Sequence, residues 1–192
     1  SNHDIPRHAT RFALPQVPSA GYHQFAADWI LRGGKTYAEN REAGARRSRA
    51  AIMMEMALPG SAYIYQGEEL GLFEVPDIPW DRLEDPVAFN TRHSELNKGR
   101  DGCRVPLPWT ADRLPGSQDP FGFSPAHSAA PPHLPQPAWF KDFAVDSEEQ
   151  DSTSMLNFYR RVLRLRHKLQ CSDTSLEWLD EDMPSGRADG AD

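Results

Sequence analysis

Leu58-Pro59-Gly60-Ser61-Ala62-Tyr63-Ile64-Tyr65-Gln66-Gly67-Glu68-Glu69-Leu70-Gly71 is the stretch on which the fold turns. Pro59-Gly60 ends the helical pattern before it, since proline has no amide to donate and glycine readily leaves helical backbone. Ala62-Tyr63-Ile64-Tyr65 then reads as a short, buried β-strand, closed by the polar turn Gln66-Gly67-Glu68-Glu69. Chemistry-bearing side chains thus sit at the strand's C-terminal end.

Upstream, Ala45, Ile52, Met53, Met56 and Ala57 recur at helical intervals, predicting a helix from Arg41 to Leu58. Downstream, Met155, Leu156, Tyr159, Val162, Leu163 and Leu169 form the apolar stripe of a second helix, from about Thr153 to Leu169. Arg160, Arg161, Arg164 and Arg166 make its wet face, and Ser152 or Asp151 is the expected cap. A weaker helical stretch runs from Tyr22 to Leu31, closed by Gly33-Gly34. Residues 66–151 contain no long periodic run. Their aromatic content (Phe73, Trp80, Phe89, Trp109, Phe121, Phe123, Trp139 and Phe140) argues for an ordered loop rather than disorder. Ser124 to Pro137 reads as extended loop.

Composition limits the function classes. The chain has 192 residues, 39% of them apolar, with 17 prolines, 13 glycines and a net charge of −7. That charge disfavours a binder of nucleic-acid backbones. No apolar run is long enough for a membrane span and no leader is visible. Cys103 and Cys171 fit no metal or redox spacing.

Ser1-Asn2-His3-Asp4-Ile5-Pro6-Arg7 crowds an amide, an imidazole, a carboxylate and a guanidinium together. Such a cluster suits a gripped sugar or phosphate, and it equally suits a solvated turn. With no methionine before Ser1, the start reads as a cut end.

Helix, short buried strand, long loop and helix is the rhythm of a βα barrel, whose chemistry lies on the loops after the strands. In detail, Ser1-Asn2-His3-Asp4 with Ile5-Pro6-Arg7-His8-Ala9-Thr10-Arg11-Phe12 resembles the fourth signature region of the family 13 glycoside hydrolases, the α-amylase superfamily. Leu58 to Leu72 resembles that superfamily's eighth barrel strand and following turn. Gly99-Arg100-Asp101-Gly102-Cys103-Arg104-Val105-Pro106-Leu107-Pro108-Trp109 is similar to the loop that closes over the sugar in bacterial α-glucosidases and oligo-glucosidases. The agreement continues through Gly122-Phe123-Ser124, Leu134-Pro135 and Ser154 to Arg161.

The resemblance implies an α/β fold, a partial (β/α)8 TIM barrel: the turn after strand 7, helix 7, strand 8, a long β8–α8 loop at 66–151, and helix 8. Residues 1–171 would be the C-terminal part of the catalytic barrel, and 172–192 an acidic, mobile tail leading to a β-sandwich domain outside the chain. Such a piece cannot close a barrel. In isolation it is expected to be loosely packed, mostly helix and coil, with a strand that lacks backbone partners.

The implied function is that of a retaining α-glucosidase acting on maltose-like oligosaccharides, bacterial and cytoplasmic. Asp4 would stabilise the transition state, and His3, Arg7, Arg100, Asp101 and Arg104 would bind substrate. For Arg7 the alternative is a salt-bridge or surface role. For Arg100, Asp101 and Arg104 it is an ion-pair network bracing the loop. Acid and nucleophile belong to strands four and five, outside these residues, so the segment alone is expected to be inactive. Read without the family, Glu68 could be paired with Asp4 as acid and base; the resemblance gives Glu68 and Glu69 structural roles. Tyr65, Trp80 and Trp109 either stack on a sugar or pack. His8, His23, His93, His127, His133 and His167 show no ligand spacing and are expected in solvent. No cofactor is implied, a structural Ca or Mg elsewhere in the parent staying open. Neither nucleic acid nor membrane is an expected partner, and the oligomeric state stays open. The alternatives are a related glucosyl-transferring enzyme (trehalose or isomaltulose synthase, sucrose hydrolase) and a non-catalytic barrel relative or scaffold module.

Overall fold

The computed structural model describes residues 1–17, 19–91, 93–170 and 175–176. The expected acidic tail at 172–192, apart from Ser175 and Leu176, lies outside the described residues, as does Cys171. Six α-helices are ordered along the described chain: α1 (His8–Ala13), α2 (Ser19–Leu31), α3 (Arg41–Ala57), α4 (Pro86–Thr91), α5 (Val145–Gln150) and α6 (Met155–Leu169). Three 3₁₀ turns, Trp80–Arg82, Asp101–Cys103 and Ala138–Phe143, lie between α3 and α5.

Helices α3 and α6 form where the periodicity places them. Asn40 caps α3, its side chain accepting from the Ala43 amide at 2.9 Å, which satisfies one of the orphan donors of a first turn. The cap of α6 is Ser154 rather than Ser152 or Asp151: its Oγ accepts from the Asn157 amide at 3.1 Å. Asp151 is spent one turn earlier, on the amide and hydroxyl of Thr153 at 2.8 and 2.7 Å. The two helices meet through Ile52, Met56, Met155 and Tyr159. Their outer faces stay open, with Met53, Met54, Leu165 and Leu169 exposed.

Arg166 departs from the wet face expected of it. Its guanidinium donates to the carbonyls of Met56 and Leu58, each at 2.7 Å, and to that of Gly60. The carbonyl of Met56 near the end of α3, which no helical amide reaches, is thereby satisfied, and Gln170 donates to that of Ala57 at 3.1 Å.

Among the described residues no strand is present. Residues 61–65 are irregular, and Tyr63 is 80% exposed, so the expected buried strand is not realised. A strand requires a hydrogen-bonded ladder with a neighbour, and no described segment pairs with this one.

The largest core lies where the sequence shows only loop. Leu70, Leu72, Val75, Ile78, Val105, Phe121 and Phe140 form one buried cluster within 66–151. Buried Asp119 replaces regular structure locally, accepting from the Phe121 amide at 2.9 Å and the Ser124 amide at 2.5 Å. The Trp109 and Thr110 amides both donate to the Phe121 carbonyl, and Val145 donates to Pro108, fastening the loop to α5. A third small cluster, Ala9, Ala13 and Phe73, joins α1 to this core.

Candidate functional site: a carboxylate in a two-arginine clamp

The first turn is built by Asn2, whose side-chain oxygen accepts from the Asp4 amide at 2.8 Å, an Asx-type turn of the kind short polar side chains favour. It lifts the Asp4 carboxylate to the surface, 47% exposed, beside His3, whose Nε2 lies 3.4 Å from Asp4 Oδ1. Arg100, 96 residues further on, donates from Nη1 to the same oxygen at 2.6 Å. Arg104 Nη2 stands 3.7 Å away. Asp4 Oδ2 has no partner among the described residues, leaving one acceptor open at the mouth of the site.

Both arginines are anchored behind. Arg104 donates from Nε and Nη2 to the His3 carbonyl at 3.0 and 2.9 Å. Arg100 turns its other edge to Asp85, with Nε 2.5 Å from Oδ2 and Nη2 3.3 Å from Oδ1. The Asp85 side chain is fully buried, and Arg104 Nη1 reaches it at 3.6 Å. Burial works against the Asp85 charge, but the Arg100 guanidinium and the Val87 and Arg100 amides hold its carboxyl below the ordinary range. Arg100 is correspondingly raised by Asp85 and Asp4. Two carboxylates and two guanidiniums thus make a neutral four-charge cluster, which fixes the planar donors in place.

No motif in the sequence marks Asp85 as part of this site. Asp85-Pro86 signals a helix start, and Asp85 does cap α4 through the Val87 amide at 2.9 Å. Its second partner, Arg100, lies too far along the chain for any local pattern to show.

Two candidate ligands sit deeper than a substrate could reach in this structure. Arg7 is 1% exposed; its Nε and Nη2 donate to the Gln66 carbonyl at 3.1 and 3.0 Å, and it lies over the Tyr65 ring. Gly67, at φ +90°, makes room: a β-carbon there would stand 2.9 Å from the Arg7 guanidinium. Asp101 is 2% exposed, and its Oδ2 accepts from the Glu84 and Asp85 amides at 2.6 and 2.9 Å. Arg7 is thus neither at the surface nor in a salt bridge with any described residue, and Asp101 braces its loop through backbone amides rather than through an ion pair.

Glu68 does not join Asp4 as an acid–base pair. It is buried against α1 and α6, accepting from the Tyr159 hydroxyl at 3.3 Å, with His8 Nδ1 at 3.6 Å. Burial opposes its charge, yet the neighbouring His8 holds its carboxyl below the ordinary range. His8 is therefore buried rather than in solvent. His133 is exposed, as expected, and stands 2.8 Å from the equally exposed Glu84. Glu69 turns back to accept from the Gly67 amide at 2.7 Å. Tyr65 donates its hydroxyl to the Cys103 carbonyl at 2.9 Å, Trp80 packs on the large core, and Trp109 is half exposed. The Cys103 thiol is pushed up to about 12 by burial, which keeps it protonated and unreactive.

A cleft of about 440 Å³ opens at the clamp, lined by polar Asp4, Asn97 and Arg100 and by apolar Ile5, Ala26 and Ile30. A mixed lining of this kind suits a ligand with hydroxyls on one side and an apolar ring face on the other.

The family described as "Alpha amylase, catalytic domain" matches residues 31–173. A probable alpha-glucosidase of Rhizobium meliloti (strain 1021) is 34% identical over 166 residues, covering 86% of this chain and 23% of that protein. Alpha-glucosidase MAL12 of Saccharomyces cerevisiae (strain ATCC 204508 / S288c) is 30% identical over 134 residues, 60% of this chain and 22% of that one. Among solved structures, the alpha-glucosyl transfer enzyme XgtA superposes with a TM-score of 0.58 at 29% identity, over 88% of this chain and 24% of its own. The chain thus spans about a quarter of the length of the relatives it matches. With the family's match extending over most of its residues, this chain belongs to the alpha-amylase catalytic-domain family, the family 13 glycoside hydrolases.

Proposed function

We propose that residues 1–171 are the part of a (β/α)8 barrel running from the turn after strand seven to helix eight, in a retaining α-glucosidase of short α-linked oligosaccharides. The observation that supports this reading is the Asp4 carboxylate: Oδ1 is fixed by Arg100, and Oδ2 is left open beside a cleft. Retaining hydrolysis needs an acid and a nucleophile about 5 to 5.5 Å apart, and in this reading both come from earlier barrel strands. Asp4 is a third carboxylate. Held rigid, it accepts hydrogen bonds from sugar hydroxyls, and these strengthen as the ring flattens and gains positive charge. Only that gain accelerates the reaction. His3 contacts the same sugar, while Arg100 and Arg104 orient Asp4 and donate to neighbouring hydroxyls. Arg7 and Asp101 keep the two loops at the right height.

In a polypeptide that supplies the earlier strands, Asp4→Asn should lower kcat/KM for an α-glucoside by about a thousandfold with little change in unfolding midpoint. Near-normal turnover would show that the wrong carboxylate has been chosen. A second reading, glucosyl transfer to an alcohol or sugar instead of water, is supported by the likeness to an alpha-glucosyl transfer enzyme. Product analysis with and without an added acceptor alcohol separates the two.

A further inference from the structure

Beneath the clamp lies a carboxyl group for which the proposed reaction has no use. Glu74 is 1% exposed, and its Oε2 is buried with no hydrogen-bond partner among the described residues. It stands where three segments meet. Its amide donates to the Thr10 hydroxyl of α1 at 2.7 Å, and the next amide, Val75, donates to the Gly102 carbonyl at 3.2 Å. Its carboxyl lies so close under the 99–104 loop that a β-carbon on Gly102 would be 2.1 Å from Glu74 Oε1. That loop carries Arg100 and Arg104, which hold Asp4.

A carboxylate with an unsatisfied oxygen in a buried site is far costlier than the neutral acid. The charged and titratable groups bearing on Glu74 are Arg7, Glu39, Asp101 and Cys103. Only Arg7 favours its ionisation, and it does so while donating to Gln66 instead.

We infer that Glu74 is a positioning residue of the Asp4 clamp, a buried neutral acid that seats the 99–104 loop and whose ionisation unseats it. The inference takes the clamp to be the sugar-contacting site proposed above, and it adds a proton-linked control on that site. Burial pushes Glu74 up to about 8, with Glu39 and Asp101 adding to the rise and Arg7 opposing it. In an opened loop the group returns toward its ordinary 4.5. The closed form therefore binds one more proton than the open form between these two values, and opening becomes easier as pH rises through that window. Above about 8 both forms are ionised and the dependence ends.

Amide hydrogen exchange on the whole chain tests this, with rates corrected for the intrinsic effect of pH. In wild type, protection at Val75, Arg100, Cys103 and Arg104 should fall roughly tenfold per pH unit at first, about fiftyfold in all from pH 6 to pH 8, and then level off. Glu74→Gln, which keeps the shape of the neutral acid, should hold protection constant over the same range. A merely structural glutamate would give parallel profiles in the two proteins, and that result overturns the inference. Should Glu74→Gln fail to fold, a ¹³C carboxyl titration of wild type decides: a Glu74 resonance moving below pH 6 overturns the inference, and one moving near pH 8 together with the falling protection sustains it. A maltose titration at pH 6, on a polypeptide that also supplies the earlier strands, keeps the two proposals apart. A loop that responds to pH with no sugar contact at Asp4 removes the glucosidase reading and leaves the role of Glu74 standing.

Discussion

Two charged layers lie one above the other in this molecule, and they are organised in opposite ways. In the upper layer, Asp4, Asp85, Arg100 and Arg104 balance charge for charge, and the unsatisfied acceptor faces a cleft. In the lower layer, Arg7, Glu68 and Glu74 are each almost fully buried. There Arg7 Nη1 and Glu74 Oε2 are left without hydrogen-bond partners among the described residues. The upper layer is arranged to meet something that arrives. The lower one holds the height and tilt of the loops above it, with desolvation opposing every charge it contains.

That contrast is open to attack from both sides. The largest effect on stability should come from Arg7→Ala, which removes two hydrogen bonds to Gln66, the stacking on Tyr65 and a large buried volume. A loss of about 3 kcal/mol in urea-monitored unfolding is expected. A smaller loss than that of the upper-layer variant would end the claim that the lower layer is the frame.

Asp85→Ala comes next. It removes the rear anchor of Arg100 and the cap of α4, for a loss of about 2 kcal/mol, reduced from the fully buried case because Arg100 is partly in solvent. The contribution carries its own pH signature. Because folding lowers the Asp85 pKa, its stabilisation is complete above the ordinary 3.8 and is lost as pH falls through the depressed value. Wild type and Asp85→Ala should therefore converge in stability in strong acid, in the opposite direction to the Glu74 effect. A gap that stays constant into strong acid would assign Asp85 a role other than its charge.

Ser154→Ala touches neither layer and sets the scale of an ordinary local feature. Losing the cap of α6 should cost about 1 kcal/mol with no change at the 99–104 loop. Altered hydrogen exchange at Arg100 or Arg104 in that variant would mean that the layers are not insulated from the helix pair.

The legible part of the molecule is the part governed by local rules. The limits of α3 and α6 followed from apolar spacing and from Pro59-Gly60, because a helix satisfies its backbone within itself. The Asn2-His3-Asp4 turn and the Arg100 to Arg104 stretch were legible as motifs. Their meeting was not, since it spans 96 residues with no periodicity to report it. Residues 62–65 failed as a strand because β-propensity promises nothing without a neighbouring ladder. The depth of Arg7 and Asp101 was hidden for a related reason. A charged residue reads as exposed until the carbonyl or amides that satisfy it are known, and Gln66, Glu84 and Asp85 supply them from other segments. The core within 66–151 escaped notice because its apolar residues are spaced by turns rather than by a helical or β period.

The grip of Arg166 on the end of α3 has a consequence for the order of assembly. It joins backbone 106 to 110 residues away in sequence. Closing so wide a loop is entropically costly until the intervening chain has already condensed. Helix α3 therefore gains its finished last turn only when the distant helix docks. A reporter placed at that clasp would register the completion of folding, and amide probes within the first turns of α3 would register its beginning.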